Sequence, residues 1–235
     1  MTKKLKKKYF YITKGCQISD QVMLLVRKFL RVGRTEIEIA HFIRAEILKR
    51  GTDDLAFPIL VATGKNGINP HHKPNSTKLK KGDVVFIDFG AKYFGWHSDI
   101  TRTFIMGNPT KKQKEIYNLV LQTQKLAAGE IKSGRGAKKL YEIACANLKK
   151  KNYLEYFNHG LGHGVGRQIH ERPFLSRKAK KFERLKVGDV ITIEPGIYIK
   201  DFGGVRIEDD YLVTKKGSRC LTKCPKNLSF ATIRK

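Results

Sequence analysis

Acidic residues are scarce in this chain of 235 residues: 21 Asp and Glu stand against 48 Lys and Arg, for a formal net charge of +27. Such a field attracts polyanions, with nucleic acid or the ribosome surface as the obvious candidates. A general lysine bias accounts for the same figure, because lysines occupy nearly every solvated position rather than one patch. Both readings stay open at this level. Cysteine is scarce as well. Cys16, Cys145, Cys220 and Cys224 are too scattered for a disulfide framework, and no second Cys/His pair completes Cys220-x-x-x-Cys224 as a zinc site. No apolar run approaches the roughly 18–20 residues of a membrane span. The lysine run Met1–Lys8 never becomes the apolar core of a secretory signal. Reduced thiols and a cytoplasmic location are therefore expected, with no membrane partner. Neither G-x-G-x-x-G nor G-x-x-x-x-G-K-[ST] occurs, so the glycines do not read as a phosphate cradle.

What is present is a folded composition, 40% hydrophobic and 10% aromatic. No long linker divides it, so residues 1–14 are expected as a basic tail leading into a strand or turn, and 15–235 as one domain. Ser19 is expected to cap a helix to about Leu30. Thr35-x-x-Glu38 and Thr110-x-x-Gln113 are capping boxes for two more helices, and a fourth follows Gly134 and Gly136. Strands are expected at 56–63, 84–88, 100–106, 190–194, 197–199 and 205–214, with Tyr93–Phe94 beside the third. An internal repeat links two of them. Leu79-Lys80-Lys81-Gly82-Asp83-Val84-Val85-Phe86-Ile87-Asp88 echoes Leu185-Lys186-Val187-Gly188-Asp189-Val190-Ile191-Thr192-Ile193-Glu194, each copy preceded by a helix pair. Two pseudo-symmetric halves would bring Asp88 and Glu194 together at the centre.

Each half carries a further acid, Asp99 eleven residues after Asp88 and Glu208 fourteen after Glu194. Both lie in β-rich runs, where an unpaired buried carboxylate costs several kcal/mol. Four converging carboxylates need cations to hold them together. The stretch His159-Gly160-Leu161-Gly162-His163-Gly164-Val165-Gly166-Arg167-Gln168-Ile169-His170 adds three of the seven histidines within a glycine-rich backbone. With His163 the set is four carboxylates and an imidazole, which suits Mn²⁺, Fe²⁺, Co²⁺ or Zn²⁺ in an open site, and bridging carboxylates allow two ions.

The runs Ile87-Asp88-Phe89-Gly90, Ser98-Asp99-Ile100-Thr101-Arg102-Thr103, His159-Gly160-Leu161-Gly162-His163-Gly164, Glu194-Pro195-Gly196 and Gly204-Val205-Arg206-Ile207-Glu208-Asp209 resemble the pita-bread metallopeptidases. Within these, the chain is most similar to the Xaa-Pro branch, prolidase and aminopeptidase P, from about residue 15 to 214. The resemblance implies an α/β (α+β) pita-bread fold, with a curved antiparallel sheet flanked by helices and two divalent ions at the pseudo-twofold. Asp88 would bind one ion and Asp99 both; His163 and Glu194 would hold the other, and Glu208 would bridge again. His71 falls where the family keeps a substrate-side histidine, with His72 one step off register. His159 and His170 match histidines lining the substrate pocket, and Arg206 the arginine beside the last metal glutamate. Two residues apart on a strand, Arg206 and Glu208 should share a face, letting the arginine orient that carboxylate. His41 and His97 are expected to be structural.

The implied activity is hydrolysis of Xaa-Pro bonds in short peptides or at protein N-termini. Glu194 would shuttle the proton, and His71 and His170 would act as donors to the carbonyl oxygen. Two alternatives remain: a methionine aminopeptidase, which Arg167 resembles, and a non-catalytic pita-bread protein binding RNA or ribosomes. Prolidase and aminopeptidase P carry an N-terminal domain for which only a short basic tail stands here, so no separate N-terminal domain is expected, and a homodimer stays open.

Overall fold

Thr35 and Thr110 each accept a hydrogen bond from the backbone N–H three residues on, and the side chains of Glu38 and Gln113 reach back to the threonine N–H. Both capping boxes therefore start helices where the pattern predicts. A computed structural model describes residues 3–180 and 182–234. In the first half, α1 (Lys3–Phe29) and α2 (Glu36–Leu48) precede β1 (Asp54–Leu55), β2 (Leu60–Thr63), β3 (Val84–Phe89), β4 (Ala91–Tyr93), β5 (Trp96–His97) and β6 (Ile100–Met106). In the second, α3 (Lys111–Gly129) and α4 (Ala137–Lys149) precede β7 (Gly162–Gly164), β8 (Glu171–Leu175), β9 (Val190–Ile193), β10 (Gly196–Ile199), β11 (Gly203–Arg206) and β12 (Asp209–Val213). A closing segment adds β13 (Ser218–Cys220), α5 (Leu228–Ala231) and β14 (Thr232–Ile233). None of the described helices is long and apolar enough to cross a membrane.

The repeat is visible in backbone pairing. Gly33 N–H donates to the Leu79 carbonyl and Leu79 N–H to that of Arg34. In the second half, Gly134 pairs with Leu185 and Leu185 with Arg135 in the same way. Gly82 and Gly188, at φ +89° and +99°, make equivalent turns. After each turn, an aspartate carboxylate accepts from the lysine N–H three residues back, Asp83 from Lys80 at 2.8 Å and Asp189 from Lys186 at 2.7 Å. Each turn thus delivers a buried apolar strand into the middle of its sheet. β3 lies between β2 and β6, and β9 between β12 and β7. The strands form a four-stranded sheet, β14-β6-β3-β2, and a five-stranded sheet, β13-β12-β9-β7-β8, with the smaller groups β1-β4-β5 and β10-β11 beside them. Two separate apolar cores lie beneath them.

Three expectations are corrected. Helix α1 does not start at Ser19. It already runs through residues 3–14, with the side chains of Lys3, Lys4 and Leu5 outside the description. Tyr9, Ile12 and Cys16 form a buried face against Val165, Val190 and Leu212 of the second half, a stripe hidden in the sequence by the lysines around it. The strand expected over 205–214 is two strands. Ile207 N–H bonds to the Pro195 carbonyl and Glu208 N–H to that of Thr101, so the chain leaves β10–β11 pairing before joining β9. The strand expected over 56–63 begins only at Leu60, where pairing with Asp88 of β3 starts.

Candidate metal centre

Five chain segments converge on one cavity of about 520 Å³. β3 brings Asp88, in register with Leu60 on one side and Thr101 on the other. The turn between β5 and β6 brings Asp99, the residue after β9 brings Glu194, and the crossing between β11 and β12 brings Glu208. β7 brings His163. A Cβ on its neighbour Gly162 would strike the backbone of Thr192, so glycine is what lets β7 lie this close to β9.

The ligand atoms of Asp99, His163 and Glu208 all lie within 4.8 Å of one another. His163 Nε2 stands 3.7 Å from Asp99 Oδ2 and 3.5 Å from Glu194 Oε1. Its Nδ1–H donates to the Gly164 carbonyl at 3.1 Å, which leaves the Nε2 lone pair facing the acids. Burial, with His170 beside it, lowers the His163 pKa to about 4, so the ring is neutral and ligand-competent. Burial raises the Glu194 carboxyl to about 8, with Arg206 opposing and Asp88 reinforcing the shift. Asp99 is pushed well above the carboxylate range by burial and then by Glu208 and Asp88, and Glu208 by burial and then by Glu194 and Asp88. Asp88 Oδ1, Asp99 Oδ1 and Glu208 Oε1 are buried oxygens without a hydrogen-bond partner. Orphaned acceptors crowded around a neutral imidazole fit divalent cations, which would supply the missing charge and the missing partners at once.

All nine residues singled out in the sequence line this cavity: Asp88, Asp99, His163, Glu194 and Glu208, with His71, His159, His170 and Arg206 around them. Of the two adjacent histidines, His71 lines the cavity, whereas His72 turns away to place Nε2 2.8 Å from the buried Glu36 carboxylate. His170 packs edge-on to His163, ring centroids 4.4 Å apart. His159 Nδ1–H donates to the Gly160 carbonyl at 2.7 Å, and its Nε2 accepts from the Tyr198 hydroxyl at 2.9 Å. Burial and the Arg206 charge hold His159 at a pKa of about 3, so it is an uncharged wall. His97 is buried with Nδ1 on the Gly166 carbonyl, outside the cavity.

Arg206 departs from the expected pairing. Its Nη2 donates to Asp88 Oδ2 at 2.6 Å, not to Glu208, because β11 ends at Arg206 and Glu208 lies in the crossing beyond it. It reaches Glu208 only through Thr101, whose Oγ1 accepts from Arg206 Nε at 3.2 Å and donates to Glu208 Oε2 at 2.6 Å. Several supporting residues carried no sequence signal of their own. Thr192 accepts from His163 N–H and faces Glu194 Oε1. Buried Arg102 donates to the carbonyls of Thr101 and Glu208 and to Asp209, fixing two acid-bearing strands from behind. The apolar wall of Phe57, Pro58, Leu60, Ile169 and Phe174 also came unannounced, since no spacing joins residues so far apart.

Residues 11–215 match the family described as metallopeptidase family M24. The Xaa-Pro dipeptidase of Pyrococcus horikoshii is 43% identical over 225 residues, 96% of this chain and 64% of the relative. That of Pyrococcus furiosus is 42% identical over the same share of each chain. Among solved structures, the prolidase from Pyrococcus horikoshii aligns with a TM-score of 0.92 at 43% identity, covering 94% of this chain and 63% of that one. An X-Pro aminopeptidase from Thermotoga maritima aligns at 0.91 and 35% identity, covering 94% and 62%. The chain thus spans less than two thirds of the length of these relatives.

Proposed function

This chain belongs to metallopeptidase family M24 and has the pita-bread fold, and from that premise we propose a metal-dependent exopeptidase that hydrolyses Xaa-Pro bonds in short peptides or at protein N-termini. Its centre would hold two ions of Mn²⁺, Co²⁺, Zn²⁺ or Fe²⁺, with Asp88, Asp99, His163, Glu194 and Glu208 as the holding residues. Such ions, when bound, supply Lewis acidity and a water that ionises near neutral pH. The protein's own groups do the rest. Glu194 Oε1, ionised beside the cations, takes the proton of the attacking water and returns it to the leaving nitrogen. His71 and His170, both exposed to the cavity, donate to the carbonyl oxygen as charge develops on it. Arg206 fixes Asp88, and neutral His159 closes one side.

The observation that carries this reading is the apolar wall facing the acids in the same cavity. A prolyl nitrogen has no N–H to satisfy, and its ring is accepted by hydrophobic surface alone. The names of the relatives point the same way. The test is kcat/KM for Met-Pro-Xaa against Met-Ala-Xaa peptides with the same metal. At least a tenfold preference for Met-Pro is expected, about 1.4 kcal/mol of transition-state binding. Faster cleavage of Met-Ala-Xaa would turn the reading to a methionine aminopeptidase.

A further inference from the structure

Glu36 is the first residue of α2, and its carboxylate is fully buried although it touches none of the acids at the centre. A buried carboxylate persists only where its acceptor capacity is met, and Glu36 meets it from the last residue of β2 and the loop that follows. Oε1 accepts from Thr63 N–H at 2.8 Å and Asn66 Nδ2 at 3.0 Å. Oε2 accepts from Asn75 N–H at 3.1 Å and faces His72 Nε2 at 2.8 Å. These four groups span residues 63–75, and His71 is at the loop's inner edge. The helix start binds the loop a second time, since Glu36 N–H donates to the Thr77 carbonyl and Ile37 N–H to that of Asn75. On the cavity side, Arg206 Nη1 donates to the Pro70 carbonyl at 3.1 Å, and a Cβ on Gly67 would stand 2.6 Å from Gly204 N. The loop is therefore clamped between a buried acid and the β10–β11 hairpin. The His71 ring itself makes no hydrogen bond to any described residue, so its placement rests on how this clamp holds the loop that carries it.

We propose that Glu36 is a positioning residue that acts through His71, holding the 63–77 loop so that the imidazole faces the scissile carbonyl. The proposal rests on the donor role given to His71 above. A donor aimed at developing charge loses much of its effect when displaced by about 1 Å, and the loss falls on kcat rather than KM. Glu36→Gln keeps size and burial but replaces one oxygen with an NH2 that only donates, so it cannot accept from both the Thr63/Asn66 pair and the Asn75/His72 side. In the Zn²⁺-loaded protein, Glu36→Gln should lower kcat about tenfold with KM and bound metal unchanged. His71→Ala should cost about a hundredfold, and adding Glu36→Gln to His71→Ala should cost nothing more. His72→Gln, which removes one clamp contact, should show a smaller loss with the same dependence on His71. Imidazole signals of ¹⁵N-histidine-labelled protein give a reading that needs no substrate: in Glu36→Gln the His71 signal should broaden or split while that of His163 stays put. Equal losses in the wild-type and His71→Ala backgrounds, or an unmoved His71 signal, overturn the proposal while leaving the donor role intact. Full activity in His71→Ala overturns both.

Discussion

The two halves share a backbone plan and differ at the acid each delivers. In the first, Asp88 lies within β3 and is tied to Arg206 at 2.6 Å. In the second, Glu194 stands one residue beyond β9, has Thr192 as a 3.4 Å partner, and is pushed up to about 8 by burial. The guanidinium that settles Asp88 comes from the other half, as do the three histidines of the glycine-rich stretch. Equivalent positions in a repeat have thus taken different surroundings, one acid paired with a buried guanidinium and one without such a partner, its carboxyl raised by burial. Two like halves supply a symmetric frame, and the surroundings of its two acids are made unlike by side chains such as Arg206.

The largest expected effect comes from removing an acid both halves depend on. Asp99→Ala should lose at least one ion per chain by metal analysis and about a thousandfold or more in kcat/KM, roughly 4 kcal/mol. Chelator should abolish turnover reversibly; an Asp99→Ala protein of normal activity would break the picture of a shared centre. The contrast between halves is sharpened by stability in chelator. Asp88→Ala leaves a buried guanidinium without its carboxylate, a loss of about 3–5 kcal/mol that should lower Tm by about 10 °C. Glu194→Gln removes an acid that burial already disfavours, so Tm should hold or rise. Equal losses in the two variants would mean the electrostatic difference is not real. The smallest effect belongs to His159. Its pKa of about 3 lies below the ordinary 6.5, so the unfolded chain binds the extra proton first. Its contribution is whole above about pH 6.5 and lost as pH falls towards 3, by at most about 1.4 kcal/mol per pH unit. His159→Gln should flatten that part of the Tm–pH curve.

Much of the centre was legible because its residues fall in short, contiguous runs. The Gly82-Asp83 and Gly188-Asp189 turns, the capping boxes at Thr35 and Thr110, and the acids at strand ends each report a local backbone requirement. What stayed hidden depends on distance along the chain. Arg206 looked bound to Glu208, two residues away, yet its partner is Asp88, 118 residues back. The inward stripe of Tyr9, Ile12 and Cys16 read as a tail because the surface that buries it, Val165, Val190 and Leu212, belongs to the other half.

The sequence by itself determined the frame: a repeated helix-pair, glycine-turn and strand unit, with four acids and a histidine placed where two copies meet. Periodicity, turn chemistry and residue type are local properties, and they survive in one dimension. Only the tertiary structure decided which charges neutralise one another, which of His71 and His72 faces the cavity, and which apolar side chains wall it. Those outcomes are set by burial and by contacts across the interface between the halves. Neither exists until the chain has folded.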